Sequence, residues 1–188
     1  MPTTLTLPKL DEYFGLDKEE LINRFARSLD ALDPRIAELS AEEVDTAFLA
    51  SAGVGKLPVR VVVGHLTDSD LVWIHRMRRT VAEAHPLLAD WDHDAFIDAG
   101  LYGLVSPEEG REARPAPPVG ASMAAMHAAR QWTASWLATL EDTDWNRTAM
   151  HPEAGEITLR RMVELLVWHV EYHNRFIAAK IDAMRAGA

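Results

Sequence analysis

The chain has 188 residues, a length that fits one domain, and we expect residues 1–188 to form a single domain with a core from about 17 to 184. Hydrophobic residues make up 48% of it and charged residues 26%, which is typical of a globular protein and excludes a disordered or collagen-like chain. The 19 basic and 29 acidic residues give a net charge of −10, which argues against nucleic acid as a partner because phosphates would be repelled.

The chain contains no cysteine, and residues 1–9 lack a basic leader followed by an apolar run. A disulfide framework, a thiol nucleophile and a thiolate ligand are therefore excluded, so any metal ion must be held by nitrogen and oxygen atoms. We expect a cytoplasmic protein. The longest uncharged stretch, residues 115–129, contains several prolines and is shorter than the ~20 apolar residues that a membrane span requires, so no membrane partner is expected.

The first third of the chain carries two helix-start signals. Asp17 and Glu20 form the pattern of a capping box, and apolar residues follow at helical spacing over residues 21–32, which predicts a first helix. The same pattern at residues 40–43 predicts a short amphipathic segment that ends at the glycines of residues 53–55.

Residues 58–84 show two conflicting patterns. The run Val59–Val63 is β-branched and by itself favours a strand, whereas the apolar residues of the whole segment follow helical spacing. The segment is 27 residues long, which is far longer than most strands, and as a helix it would span about 40 Å. We therefore predict a long second helix from Pro58 to about Ala84.

Prolines and glycines divide the rest of the chain. Residues 85–121 hold many of the ten prolines and form a long connection, in which we expect a short helix over residues 94–101. Ser122 then begins a third helix, residues 143–156 form a turn region, and a fourth helix covers residues 159–184. These elements predict an all-α four-helix bundle with a long crossover connection between helices 2 and 3. Such bundles hold metal or ligand sites between facing helices.

His169 and His173 are four residues apart in the predicted fourth helix. They rise from one face of it, about 5–6 Å apart at Cβ, so both imidazoles can reach one metal ion. Apolar neighbours place the pair next to a core, where neutral ligands are favoured over cationic imidazoles. These neighbours are Leu165, Leu166, Trp168 and Phe176. The spacing also arises by chance, so a metal site needs a third ligand.

His65 is the candidate for that ligand, because it lies in the apolar second helix next to Gly64, and a glycine inside a helix often marks the close approach of another group. A core histidine with an ordinary hydrogen-bond partner is the alternative. A zinc-protease motif is excluded because Glu171 lies about 200° around the helix from His169. A di-iron site is excluded because the chain has no Glu-x-x-His pair. Three histidines would leave open coordination positions on a metal ion. The ion can lower the pKa of a water or thiol bound at such a position.

Two further residues are candidates for the chemistry around such a metal. Asp68 follows His65 by three residues and could orient an imidazole or act as a catalytic general base, or else form a surface ion pair with Arg76 or Arg79. His151 lies in a predicted turn and could bind substrate at the mouth of the site, or stay exposed without a role.

Two stretches of the chain carry a family resemblance. Residues 59–69 (VRVVVGHLTDS) and residues 168–173 (WHVEYH) resemble motifs of the DinB/YfiT superfamily, the second being close to the YfiT-like branch that includes the bacillithiol S-transferases. The resemblance implies an up-down four-helix bundle, usually a homodimer, that binds a divalent ion such as nickel or zinc. The ligands that it implies are His65, His169 and His173. Proteins assigned to the family include metal-dependent hydrolases, and transferases or isomerases that use a low-molecular-weight thiol.

We therefore predict a metal-dependent enzyme that transfers a small thiol to an electrophile or hydrolyses a small-molecule substrate. A thiol-dependent isomerase, a metal-binding stress-response bundle without catalysis and a metal-free bundle with core histidines remain alternatives. Where family members often carry histidine, this chain has Gly64 and Asp70, which changes the lining of the pocket and hence the expected substrate.

Overall fold

The computed structural model describes residues 5–103 and 115–187 of the chain. Two short strands, β1 (Thr148–His151) and β2 (Gly155–Thr158), pair as an antiparallel hairpin. Within the described ranges the helices are α1 (Lys18–Ala26), α2 (Val59–Ala82), α3 (His93–Asp98), α4 (Val119–Leu137), α5 (Asp142–Trp145) and α6 (Leu159–Ala186). The predicted helical fold is confirmed, because four of these helices pack together as a bundle: α1, α2, α4 and α6.

The bundle helices do not follow their chain order around the bundle. α1 and α2 each pack mainly against α4 and α6, so α1 lies diagonally across from α2, and α4 diagonally across from α6. The two diagonal steps are made by residues 27–58 and 138–158. The long connection, predicted over residues 85–121 and found between α2 and α4 at residues 83–118, joins two helices that pack against each other. This arrangement makes neighbours of α2 and α6, the two helices that carry the predicted metal ligands.

The β-branched run Val59–Val63 forms the start of α2 and not a strand, as the longer pattern predicts. Pro58 precedes the first helical residue, where its missing N–H costs nothing. Three of these valines are buried in an apolar cluster with Val170 and Ile177 of α6. Packing of this face outweighs the modest preference of valine for strands.

A buried ion pair crosses the bundle between α2 and α4. The guanidinium of Arg130 donates to the carboxylate of Asp70 at 2.5 and 2.6 Å, and both side chains are almost completely buried. Arg130 also donates to the hydroxyl of Ser28 at 2.7 Å and to the carbonyl oxygen of Leu166 at 3.1 Å. These bonds connect α2, α4, α6 and the turn after α1, and they compensate two charges that would each be costly to bury alone.

Two bundle helices, α1 and α4, begin or end three or more residues away from the predicted positions. α1 ends at Ala26, and the chain continues as a 3-10 segment over Ser28–Ala31, so the apolar spacing extends beyond the α-helix. α4 begins at Val119, directly after Pro118, and not at Ser122. A proline is well tolerated at the start of a helix, which explains why the helix begins as soon as the prolines end.

Two loop regions also differ in detail from the predictions. The expected amphipathic segment before the glycines forms 3-10 turns at Glu43–Asp45 and Ala50–Ala52. The predicted turn region, residues 143–156, contains strand β1 and the start of β2, and four-residue strands are too short for alternation to reveal them. Among the helices in residues 5–103 and 115–187, none combines the length and the apolar character needed to cross a membrane.

Candidate metal centre

The three histidines that the sequence singles out converge where α2 meets α6. The Nε2 atoms of His65 and His169 are 3.3 Å apart. One ring nitrogen of each of His65, His169 and His173 lies within 4.8 Å of those of the other two. After small side-chain rotations, three nitrogens this close can reach one ion at the ~2.0–2.1 Å typical of zinc and histidine.

Burial keeps the three imidazoles neutral. Burial, with a smaller contribution from His93, lowers the pKa of His65 to about 4. Burial, followed by repulsion from His65, lowers the pKa of His173 to about 4. The pKa of His169 lies well below its ordinary value because the ring is buried and because His173 is close. A neutral imidazole offers a lone pair, so the cluster is in the form that binds metal at neutral pH.

Contacts around the cluster orient its rings. The hydroxyl of Ser69 lies 3.4 Å from Nδ1 of His169, and Nε2 of the same ring faces His65. Nδ1 of His65 is buried and has no hydrogen-bond partner among the residues that the structure describes. The ring of His65 stacks on Trp91 at a centroid distance of 5.9 Å. Three neutral imidazoles with nitrogens this close together fit a divalent ion that prefers nitrogen ligands.

A pocket of about 510 Å³ opens onto the cluster. Its walls follow one face of α2 and the facing side of α6, and α3 with the residues before it lies along another side. The lining is largely apolar and aromatic, with the exposed acidic residues Asp90, Asp94 and Glu153 among it. A pocket of this size and character suits a small molecule. The histidines are therefore accessible to a ligand and not sealed in the core.

Helix α3, predicted over residues 94–101 and found at His93–Asp98, contributes aromatic contacts to the cluster. The ring centroid of His93 lies 5.5 Å from that of His65, and Trp91 lies 6.0 Å from His93. Both side chains line the pocket. The sequence did not identify them, because they lie in the long connection, where no periodicity relates them to α2 or α6.

The structure does not place Asp68 among the residues that line the pocket. Its carboxylate accepts a hydrogen bond from the hydroxyl of Tyr102 at 2.7 Å. Asp68 follows His65 by three residues on the helix, so its side chain points about 60° away from that of the histidine. Ser69 follows by four residues and stays nearer the face of His65. The position of Asp68 does not support the predicted catalytic or imidazole-orienting role. The two arginines considered as its ion-pair partners bind other groups.

Tyr102 also accounts for the glycine at position 64. A Cβ atom on Gly64 would lie 2.5 Å from Cδ1 of Tyr102 and 2.9 Å from Cγ. The sequence predicts the close approach of another group at Gly64, and in the structure that group is the ring of Tyr102 and not a ligand.

His151, the predicted substrate-binding residue, lies at the end of β1 and lines the pocket. It is 8% exposed, so the alternative that it stays exposed is wrong. Its ring stacks on Trp73 at a centroid distance of 5.3 Å with an interplanar angle of 4°. Nδ1 accepts hydrogen bonds from the backbone N–H groups of Glu153 and Ala154 at 3.2 and 3.3 Å. Burial and the neighbouring Arg76 lower the pKa of His151.

Arg76, which the sequence suggested only as an ion-pair partner, belongs to the pocket lining. Its guanidinium lies over the ring of Trp73 at 4.7 Å, and Nη2 donates to the carbonyl oxygen of Ala89 at 2.7 Å. Positions 65, 69, 73 and 76 form one stripe of a helix, so the spacing from His65 would have identified Ser69, Trp73 and Arg76 as neighbours of the site.

Comparisons with known proteins identify a matching family model and similar chains. Residues 53–177 match the model of the DinB superfamily. The chain is 26% identical over 164 residues to a protein of Oceanobacillus iheyensis, with 85% of each chain covered. It is 25% identical over 171 residues to a protein of Bacillus mycoides, with 89% of each chain covered. Both relatives are provisionally named metal-dependent hydrolases.

A solved structure, YfiT from Bacillus subtilis, matches with a TM-score of 0.75 and 21% identity, covering 96% of this chain and 94% of that chain. YfiT is described as "a probable metal-dependent hydrolase with an unusual four-helix bundle topology". At this identity the match supports the fold. Since the family model covers well over half of the sequence, the chain belongs to the DinB superfamily.

Proposed function

We propose that the protein is a metal-dependent hydrolase of a small-molecule substrate and that His65, His169 and His173 bind its single divalent ion. The observation that carries this proposal is the convergence of three neutral imidazoles on the wall of a pocket of about 510 Å³. The names of the relatives from Oceanobacillus iheyensis and Bacillus mycoides support the same reaction class.

When bound, a divalent ion at such a site supplies Lewis-acid polarisation of a carbonyl group and makes water a stronger nucleophile near neutral pH. The chain's own residues position the reactants. Ser69 holds the ring of His169 so that its Nε2 faces the cluster. Trp91, stacked on His65, and the apolar side chains of the pocket keep bulk water from the substrate. Three protein ligands leave coordination positions for water and substrate.

Transfer of a low-molecular-weight thiol to an electrophile is the narrower candidate. The chain has no cysteine, so the thiol would have to enter the pocket as a second substrate. A histidine-bound divalent ion favours the thiolate form of such a molecule. The resemblance to the bacillithiol S-transferases within the YfiT-like branch motivates this candidate, and a thiol-dependent isomerase would need the same binding site.

An activity panel separates these candidates. The metal-loaded protein is assayed with monochlorobimane and bacillithiol, mycothiol, glutathione or cysteine, and in parallel with aryl esters and amides. Hydrolysis that is faster than buffer, and that is lost in His169→Ala, supports the proposal, whereas thiol conjugation without hydrolysis supports the transferase. A rate equal to buffer with every substrate contradicts catalysis and leaves a metal-binding bundle that captures small molecules.

Narrower expectations accompany the proposal. Nickel or zinc as the ion is tested by the metal content of protein purified without a nickel column, since a histidine triad also suits iron and cobalt. A homodimer is tested by light scattering during gel filtration, with a mass near 42 kDa, twice 21.0 kDa, as the expected result. A location in the cytoplasm is tested by cell fractionation.

A further inference from the structure

The guanidinium of Arg76 is a buried charge that forms no direct ion pair with a carboxylate among the described residues. Arg76 is 6% exposed and lines the pocket, and no carboxylate in the described part of the chain forms an ion pair with it. Arg130, which is completely buried, binds both carboxylate oxygens of Asp70. Burying a charge without an ionic partner is costly, so an unpaired guanidinium facing a pocket indicates a place for an anion.

A donor of His151 faces a donor of this guanidinium. Nδ1 of His151 accepts from two backbone N–H groups, so the proton of the neutral imidazole must be on Nε2. That nitrogen lies 3.2 Å from Nη1 of Arg76, which can only donate. The imidazole N–H and the guanidinium N–H therefore point toward each other without an acceptor. An oxygen atom of a ligand could accept a hydrogen bond from both.

The surroundings favour a carboxylate over a more highly charged group. Asp90 and Glu153 line the same pocket and act on Arg76 through space, so a dianion would be repelled more strongly than a monoanion. The ring of Trp73 lies parallel to the ring of His151 and under the guanidinium of Arg76. This flat floor and the planar fork of arginine suit a planar carboxylate.

The position of Arg76 along α2 sets the length of the ligand. His65 and Arg76 are eleven residues apart on one helix, which places their Cα atoms about 16 Å apart along its axis at ~1.5 Å per residue. Both side chains line one pocket, with Ser69 and Trp73 between them on the same face. A molecule anchored at Arg76 therefore extends along α2 toward the histidines.

We propose that Arg76 and His151 bind the carboxylate of an elongated small-molecule substrate, whose reactive bond then lies at the histidine cluster. The position of the reactive bond rests on the proposed hydrolase function, whereas the carboxylate site stands on its own geometry. Arg76 is a binding and positioning residue at this site and takes no part in the chemistry at the histidines.

The first test compares matched ligands on the wild-type protein. Binding of 4-phenylbutyrate and of 4-phenylbutanamide, which differ only in the carboxylate, is measured by calorimetry and by the fluorescence of the pocket tryptophans. The metal-loaded protein is used first, and the measurement is repeated after chelation to remove binding of carboxylate to metal. We expect the acid to bind at least about tenfold more tightly than the amide in both states. Equal affinities would overturn the proposal without requiring any variant.

The second test uses variants. Arg76→Gln is expected to bring the acid and the amide to within about twofold of each other, and Arg76→Lys to retain part of the preference because the charge remains without the fork. Arg79→Gln is the matched control, since Arg79 pairs with Glu83 outside the pocket lining and its loss should leave the preference unchanged. A preference for the acid that survives Arg76→Gln in correctly folded protein would contradict the proposal.

Hydrolysis of matched esters separates this inference from the proposed function. Esters with and without a distal carboxylate should differ in KM, and Arg76→Gln should raise KM for the anionic ester with little change in kcat. Binding that depends on Arg76 in a protein that hydrolyses nothing would leave the carboxylate site standing and remove the hydrolase. Hydrolysis that is unaffected by the carboxylate of the ester would leave the hydrolase standing and remove the carboxylate site.

Discussion

The Nε2 atoms of His65 and His169 lie 3.3 Å apart, although the two residues are separated by 104 positions in the chain. The contact exists because α2 and α6 are neighbours in the bundle. Three neutral imidazoles, one buried and two half-buried, lie in one small volume with ring nitrogens that face one another. A cation bound between these nitrogens would be held by their lone pairs, which is why the first prediction concerns metal.

Replacing one histidine of the cluster should abolish metal binding. We expect about one equivalent of divalent metal in the wild-type protein and less than ~0.1 equivalent in His65→Ala and His169→Ala, because two remaining imidazoles bind far more weakly than three. Metal content is measured by elemental analysis of protein purified without a nickel column. His75→Ala is the control, since His75 is exposed on the same helix as His65 and should keep the wild-type content. Equal metal in all these proteins would exclude the cluster as the site.

His93 provides a separate test of the ligand set. Its ring lies close to that of His65, but its nitrogens are outside the group of three whose ligand atoms lie within 4.8 Å of one another. We therefore expect His93→Ala to keep the wild-type metal stoichiometry. Loss of the metal in this variant would show four histidine ligands and would leave fewer positions for water and substrate. The cobalt-substituted protein gives a second readout, because its visible spectrum reports the coordination number.

The metal-free protein should lose stability as the pH falls from about 6.5 to about 4. The pKa of His65 and of His173 falls from 6.5 to about 4 on folding, so between these values the unfolded chain binds protons that the folded chain does not. The free energy of unfolding contributed by these residues is therefore present in full above pH 6.5 and lost as the pH falls toward 4. Urea denaturation in the presence of a chelator measures it across this range.

Variants isolate the histidines from the carboxylates that also titrate in that range. The double variant His65→Leu, His173→Leu should show a shallower fall of unfolding free energy with decreasing pH than the wild type, because its folded and unfolded states no longer differ at these positions. His75→Ala should retain the wild-type slope. Identical slopes in all three proteins would mean that the cluster does not hold its imidazoles neutral.

Removing one partner of the buried ion pair should destabilise the protein more than removing both. Arg130→Met leaves the carboxylate of Asp70 buried without compensation, and we expect a loss of roughly 3–5 kcal/mol in the free energy of unfolding. The double variant Asp70→Leu, Arg130→Met should recover a large part of it. Arg27→Met removes an exposed ion pair with Asp30 and should change stability by less than about 1 kcal/mol. Denaturation midpoints and slopes in urea give these values, and a double variant no more stable than Arg130→Met would contradict the explanation.

Local patterns in the sequence predict the long helices and the histidine pair of α6, since helical spacing is set within a few residues. They also place His65 correctly on α2, and the resemblance to the DinB/YfiT superfamily joins it to the pair. Other features depend on contacts between distant segments. The stacking of Trp91 on His65 and the meeting of His151 with Arg76 need the folded connection and hairpin.

Asp68 and Ser69 show where geometry within one helix would have helped. Both follow His65 closely, and the acidic residue attracted the functional interpretation because carboxylates commonly orient metal-binding imidazoles. A separation of four residues keeps a side chain nearer the same face than a separation of three, and in the structure the hydroxyl of Ser69 contacts His169 while Asp68 binds Tyr102. Residue type indicated the wrong neighbour, and helical position indicated the right one.

Gly64→Ala should destabilise the protein, although the same change inside an ordinary helix stabilises it by about 1 kcal/mol. The new methyl group would lie 2.5 Å from Cδ1 of Tyr102 and 3.1 Å from its Cβ, which sits next to the backbone and cannot swing away, so we expect a loss of roughly 1–3 kcal/mol. In a Tyr102→Gly background all three contacting atoms, Cδ1, Cγ and Cβ, are absent, and Gly64→Ala should then raise the free energy of unfolding. Urea denaturation of the four proteins measures both signs, and a stabilising effect of Gly64→Ala in the presence of Tyr102 would mean that the ring does not pack against this glycine in solution.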